Sequence, residues 1–218
     1  MNSARENGFH TRPRLMTPAD LVGVVELHKV CFEGYFLTAL GDAAIGALYS
    51  RAVDDPKSVA CVLQDDSERI LGLAVGTLNP AFHTGLLRRS FPAFAGGVVR
   101  GLFTEATVRK GIGERLGFVS KIFVARADDT LERSGITPSQ FPEARFLDVA
   151  VHPDCRGGRH AERLVEFFAG EVFRAGAGRL GGSVKPRNLG SLILYKRLGW
   201  NVQKTGPDRV DVWVDREE

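Results

Sequence analysis

The sequence predicts a mixed α/β (α+β) fold in which strands and helices alternate along the chain, and three observations carry that prediction. Residues 145–151 form a compact, nearly continuous apolar run broken only by Asp148 and closed by His152-Pro153, as expected of a strand covered on both faces. Beyond a short loop, Ala161, Leu164, Val165, Phe168, Ala169, Val172 and Phe173 recur at the spacing of one helix face. Two further apolar runs, 58–64 and 69–77, flank the polar turn Asp65-Asp66-Ser67-Glu68 and read as an antiparallel hairpin. With 218 residues, 44% of them hydrophobic, the chain has apolar material for one sizeable core and is short for two.

The first dozen residues lack periodicity and are expected to form a loose arm (1–12) ahead of a domain spanning 13–218, whose first strand lies near 12–16. In Thr17-Pro18-Ala19-Asp20, a threonine N-cap precedes a proline suited to the first helical position, and Asp20 sits favourably near the positive end of the helix dipole. Leu21, Val24, Val25 and Leu27 supply the buried stripe of that helix. A second helix is expected over 37–53, ending at Asp54-Asp55-Pro56 because proline disfavours the helical conformation of its predecessor. After the hairpin, 81–143 is less regular, with helices expected around 85–102 and 108–124 and turns over 134–142. A strand at 179–184, a helix at 188–198 stopped by Gly199, and strands near 200–204 and 209–214 complete the chain.

Composition narrows the function. Cys31, Cys61 and Cys155 are odd in number and widely spaced, which argues against a disulfide scaffold or a metal site and fits a reducing cytoplasm. No apolar run approaches the roughly 20 residues of a membrane span, and the polar beginning does not resemble a signal peptide, so a soluble cytoplasmic protein with no membrane partner is expected. The net charge of +3 suits an anionic cofactor but is too low for dedicated nucleic-acid binding.

The strand at 145–151 runs through a tight loop into the amphipathic helix. Such a junction gathers unpaired main-chain N–H groups and the positive end of the helix dipole at one point, where phosphates bind. Arg156-Gly157-Gly158-Arg159-His160-Ala161 places two glycines, an alanine and two arginines there. The plainer reading is a turn with solvated arginines. The buried strand before it, the helix after it and a second motif downstream favour the anion site.

Residues 147–161 resemble the acetyl-CoA signature of the GNAT superfamily of N-acetyltransferases: Arg or Gln, two residues, Gly, one residue, then Gly or Ala. Arg156 and Ala161 match, while Arg159 stands where the middle glycine is usual. That side chain either hinders the diphosphate or, the favoured alternative, turns outward and adds a cationic contact. Residues 184–200 resemble the second hallmark of the superfamily, with Asn188, Ser191, Tyr195, Gly199 and Trp200 in the expected places. Helical spacing puts Asn188, Ser191 and Tyr195 on one side over two turns.

The resemblance implies a mixed, largely antiparallel sheet of six to seven strands flanked by helices, with the strand at 145–151 splayed from a parallel neighbour. It implies acetyl-CoA as cofactor: Val149, Ala150 and Val151 would hold the acetyl carbonyl and pantetheine, and Arg156, Gly157, Gly158, Arg159, His160 and Ala161 the diphosphate. Asn188 would cap its helix and, with Ser191, contact the pantetheine arm; Tyr195 would protonate the departing thiolate. Asp148 and Glu143 are the candidates for the base that deprotonates the amine. Strand alternation places Asp148 opposite Val149 and Val151, where an ordinary hydrogen-bonded carboxylate is an equally good reading, and Glu143 is expected in a loop. Glu33 and Tyr35 would face the acceptor. His152 and His160 read as structural or phosphate-proximal, and Cys155 as a spectator without a histidine partner.

The superfamily usually joins its third and fourth strands directly, whereas this chain inserts about 60 residues (80–143). Arg88, Arg89, Arg100, Arg109, Lys110 and Arg115 alternate there with apolar residues, as in helices over an acceptor cleft or against a second subunit in a homodimer. The implied activity is transfer of acetyl from acetyl-CoA to a primary amine of a small molecule in a ternary complex. A protein or peptide acetyltransferase and a silent acyl-CoA-binding module are the alternatives.

Overall fold

The computed structural model describes residues 10–83, 86 and 142–217. Its centre is a seven-stranded sheet in the order β1-β2-β3-β4-β5-β7-β6. The strands are β1 (Thr11–Leu15), β2 (Ser58–Asp65), β3 (Ile70–Thr77), β4 (Glu143–Val151), β5 (Arg179–Val184), β6 (Asn201–Gly206) and β7 (Arg209–Asp215). All neighbours pair antiparallel except β4 and β5, which run parallel. The expected hairpin is β2–β3. β1 begins at Thr11, inside the stretch expected to be a loose arm. The expected helical insertion, with its arginines and Lys110, lies outside the described residues apart from its ends, of which Phe82 and Leu86 are buried.

One face of the sheet carries α1 (Leu21–Cys31), α2 (Phe36–Leu40) and α3 (Asp42–Asp54). Asp20 anchors the entry to α1: its carboxylate accepts from the Thr17 N–H (2.8 Å) and hydroxyl (2.9 Å), and pairs with Arg14 of β1 at 2.6 Å. Arg14 holds the Asp20 carboxyl down at about 2. The single helix expected over 37–53 is in fact two. Gly41 adopts φ 94°, a conformation that breaks the helical ladder and that side chains resist. Val24, Leu27, Ile45, Leu48 and Tyr49 then pack against Val62, Leu73, Val75 and Ala150.

The opposite face carries α4 (His160–Arg174), whose apolar stripe is the one read from the sequence, and α5 (Leu189–Arg197). Leu164, Val165, Phe168 and Val172 join Cys61, Leu63, Ala74, Val151 and Leu180 in a second core. The central strands are therefore covered on both sides, which is why β4 reads as almost wholly apolar.

Candidate active site

β4 and β5 pair only where Glu143, Ala144 and Arg145 meet Arg179, Leu180 and Gly181; beyond that they diverge. The cause lies in β4. Val75 of β3 pairs with Asp148 and Gly76 with Phe146, so Leu147 is an extra residue, a β-bulge that bends its strand. Phe146 packs into the α4–α5 core with its ring against Gly182 of β5, where an added Cβ would lie 2.5 Å from ring carbon. The Tyr195 ring stacks on Phe146 with centroids 5.7 Å apart, and the Trp200 ring lies 4.7 Å from that of Tyr195. Three aromatic rings thus floor the wedge between the strands.

Main-chain geometry decides what points into that wedge. The His152 N–H donates to Leu71 of β3 at 2.8 Å. Since N–H groups alternate along a strand, those of Val149 and Val151 face away from β3, toward the gap left by β5.

At the end of β4, Gly157 takes φ 88°, and an added Cβ there meets nothing within 4 Å. Helix α4 starts at His160 without a side-chain cap. Among the described residues, no main-chain carbonyl accepts from the N–H groups of 157–162. Arg156 turns back to the Val151 carbonyl at 3.1 Å, and Cys31 approaches the same oxygen at 3.5 Å. Arg159 is exposed and turned outward, its Nε 3.2 Å from Glu162 of the first helical turn, while Arg197 of α5 holds the other Glu162 oxygen at 2.9 Å. His160 accepts or donates at 2.9 Å to Thr11 of β1.

Asn188 is the N-cap of α5, its side-chain oxygen accepting from the Ser191 N–H at 3.3 Å. Tyr195 is 3% exposed, burial pushes its phenol well above the usual range, and no hydrogen bond to its hydroxyl occurs among the described residues.

Asp148 lies on the face opposite Val149 and Val151, in contact with α3. The Tyr49 hydroxyl donates to Asp148 Oδ2 at 3.1 Å and meets His28 Nδ1 of α1 at 2.7 Å. Burial pushes the Asp148 carboxyl up to about 6, against the opposing pull of the Tyr49 hydrogen bond, and burial pushes His28 down to about 4. Sequence reasoning missed Tyr49 and His28. The available signal was a polar ring on the apolar stripe of each helix, but nothing local joins the two.

Glu143 corrects the sequence reading. It is the first residue of β4, not a loop residue, and sits 3.7 Å from Arg179 at the end where the strands still pair. Six residues of strand separate it from Val149, roughly 20 Å. Glu33 and Tyr35 are exposed in the link between α1 and α2, with Lys185, just beyond β5, placing its Nζ 5.7 Å from the Tyr35 ring.

The acetyltransferase (GNAT) family matches this sequence over residues 21–200. The chain belongs to that family. As a GNAT acetyltransferase it is an acyltransferase, and its seven-stranded, mostly antiparallel sheet with flanking helices matches solved structures of similar fold. A structure described as SsHAT aligns at TM-score 0.64 and 17% identity, covering 95% of this chain and 99% of that one. YncA, a putative acetyltransferase from Salmonella typhimurium with its cofactor acetyl-CoA, aligns at TM-score 0.53 and 14% identity over 95% of each chain. The PaiA N-acetyltransferase from Thermoplasma acidophilum, in complex with coenzyme A, aligns at 0.58 and 8% identity over 94% of this chain and 99% of that one. A search of curated protein sequences returned no match. Among the described residues no helix is long and apolar enough to cross a membrane.

Proposed function

We propose that this GNAT acetyltransferase moves the acetyl group of acetyl-CoA to a primary amine of a small molecule, by direct attack in a ternary complex. The wedge between β4 and β5 carries the reading, because it opens main-chain donors toward one gap and ends beside a helix start whose N–H groups meet no main-chain carbonyl among the described residues. Those features fit the cofactor: an open Gly157, a Gly158 whose missing side chain leaves space beside the His160 ring, a helix without a side-chain cap and an outward Arg159 leave room for a diphosphate at 156–161. The acetyl-CoA of the Salmonella structure and the coenzyme A of the Thermoplasma structure support the same choice.

When bound, acetyl-CoA supplies an electrophilic thioester carbonyl and an anionic diphosphate. The Val149 and Val151 N–H groups offer donors to the carbonyl oxygen and the amide groups of pantetheine, with Ala150 holding their spacing. Asn188 and Ser191 line the start of α5. Asp148 accepts the proton that the attacking amine must lose, and Tyr195 gives its proton to sulfur as the carbon–sulfur bond breaks. The high pKa of the phenol keeps that proton in place at every working pH. Glu33 and Tyr35 contact the acceptor. The Tyr35–Lys185 contact spans from the α1–α2 link to the segment after β5, and this favours a small amine over an extended peptide.

The test is calorimetry and thermal shift with acyl-CoAs, followed by thiol release across small amines and N-terminal peptides. Acetyl-CoA is expected to raise the melting temperature, and a small amine to drive release. Absence of any heat or stabilisation at millimolar coenzyme A overturns the cofactor; turnover with peptides alone overturns the acceptor class.

A further inference from the structure

We propose that Tyr49 and His28 are positioning residues for Asp148: His28 fixes the Tyr49 hydroxyl so that its only proton points at one carboxylate oxygen, leaving the other for the amine. The inference rests on reading Asp148 as the base.

The hydrogen-bond order follows from counting protons. The Tyr49 hydroxyl has one proton and two neighbours, His28 Nδ1 at 2.7 Å and Asp148 Oδ2 at 3.1 Å. An ionised carboxylate only accepts, so Tyr49 donates to Asp148. The hydroxyl oxygen must then accept from His28, which puts the imidazole proton on Nδ1. The other nitrogen, Nε2, becomes a bare acceptor, and it is buried without a partner among the described residues. The opposite tautomer would let Nδ1 capture the tyrosine proton and leave the carboxylate with no donor. Oδ1 of Asp148 makes no hydrogen bond among the described residues, so it is the oxygen left for the amine.

The surroundings preserve this order. Tyr49 is 0% exposed and its phenol is raised well above the usual range by burial and then by the Asp148 charge, so it stays neutral. His28 is held neutral by burial. Among the described residues, the other titratable or charged groups near this chain of bonds are Cys31 of α1, which acts on Tyr49, and Arg156, which acts on Cys31. Arg145 shares the face of β4, and the facing residue of β3, Val75, is apolar. Among the described residues no cation neutralises Asp148 directly, which leaves the Tyr49 proton as the group that favours its ionised form.

The experiment combines ¹⁵N-histidine NMR of the apo protein with pH profiles of kcat/KM. His28 is expected as the Nδ1–H tautomer at pH 8; an Nε2–H tautomer overturns the proposal without any turnover being measured. Tyr49→Phe keeps the packing and removes the proton, so the acid limb of kcat/KM should rise by about one pH unit, with roughly fivefold less activity at pH 6. His28→Ala should move the limb the same way by a smaller amount, and His28→Asn, whose amide can donate from near the Nδ1 position, should restore most of the loss. A limb unmoved in Tyr49→Phe, with Asp148→Asn inactive, overturns the positioning role and leaves the base in place. Full activity and an unchanged limb in Asp148→Asn overturn the base, and with it the role of the pair.

Discussion

Replacing Asp148 with Asn should make the protein more stable at pH 8 and nearly inactive, and the stability change should vanish near pH 4. In the folded state burial raises this carboxyl from its ordinary 3.8 to about 6. A carboxyl whose folded value lies above its unfolded value binds its proton more tightly when folded. Its contribution is therefore fully present below about pH 4 and is lost as pH rises through 6. The gap corresponds to about 3 kcal/mol at pH 8, a ceiling because the side chain is only partly buried by surface area, and 1–3 kcal/mol is the working range. Asparagine keeps an oxygen for the Tyr49 hydroxyl and carries no charge to desolvate. In a chain of this size the melting temperature should rise by roughly 3–10 °C at pH 8. His28 has the opposite sign: its lowered value costs stability as pH falls from about 6.5 through 4, but this is common to both proteins and cancels in the difference. Thermal melts of the two proteins at pH 4.5 and 8, without ligand, test the argument. An equal change at both pH values, or a loss at pH 8, refutes it.

Gly182→Ala should cost about 1–3 kcal/mol by driving a methyl group into the Phe146 ring, and Phe146→Ala should recover part of that cost in a double-mutant cycle followed by urea unfolding; additive losses would mean that the ring does not rest on Gly182. Arg159→Gly should leave acetyl-CoA affinity within about tenfold of wild type, because the arginine already points away toward Glu162; a larger gain in calorimetry would show that it obstructs the loop. Tyr195→Phe should lower kcat by roughly tenfold to a hundredfold with little change in KM, since the stacked ring remains and only the proton is removed; unchanged turnover under thiol-release conditions would assign the leaving-group proton elsewhere.

Much of this arrangement was legible where one local rule dominated. The stripe from Ala161 to Phe173 is a periodic pattern, and it became the face of α4 that packs on the sheet. Strand alternation placed Asp148 opposite Val149 and Val151, and the Asn188 cap followed from side-chain chemistry at a helix start. The misreadings came from tertiary terms. The helix over 37–53 is interrupted at Gly41, a residue that sequence patterning tolerates within a helix but whose φ of 94° depends on how α2 and α3 dock. Glu143 looked like a loop residue because polar turns precede it, yet parallel pairing with Arg179 extends β4 to include it. Tyr49 and His28 could not be joined to Asp148 from spacing, since the contacts span 99 and 21 residues along the chain.

The bulge at Leu147 explains why one short strand can serve both sides of the reaction proposed here. Phe146 and Asp148 are two residues apart, and in an unbroken strand they would share a face. Here Phe146 belongs to the α4–α5 core, resting on Gly182 beneath Tyr195, while Asp148 belongs to the α1–α3 side with Tyr49. One inserted residue turns the two side chains to opposite faces, and the bend it introduces ends pairing with β5 at Arg145. The separation of strands, the aromatic floor on one face and the carboxylate on the other thus share a single local cause. It lies within four residues of the Val149 and Val151 N–H groups, so in the proposed reaction β4 presents main-chain donors at its edge while a proton acceptor and a proton donor approach from its two faces.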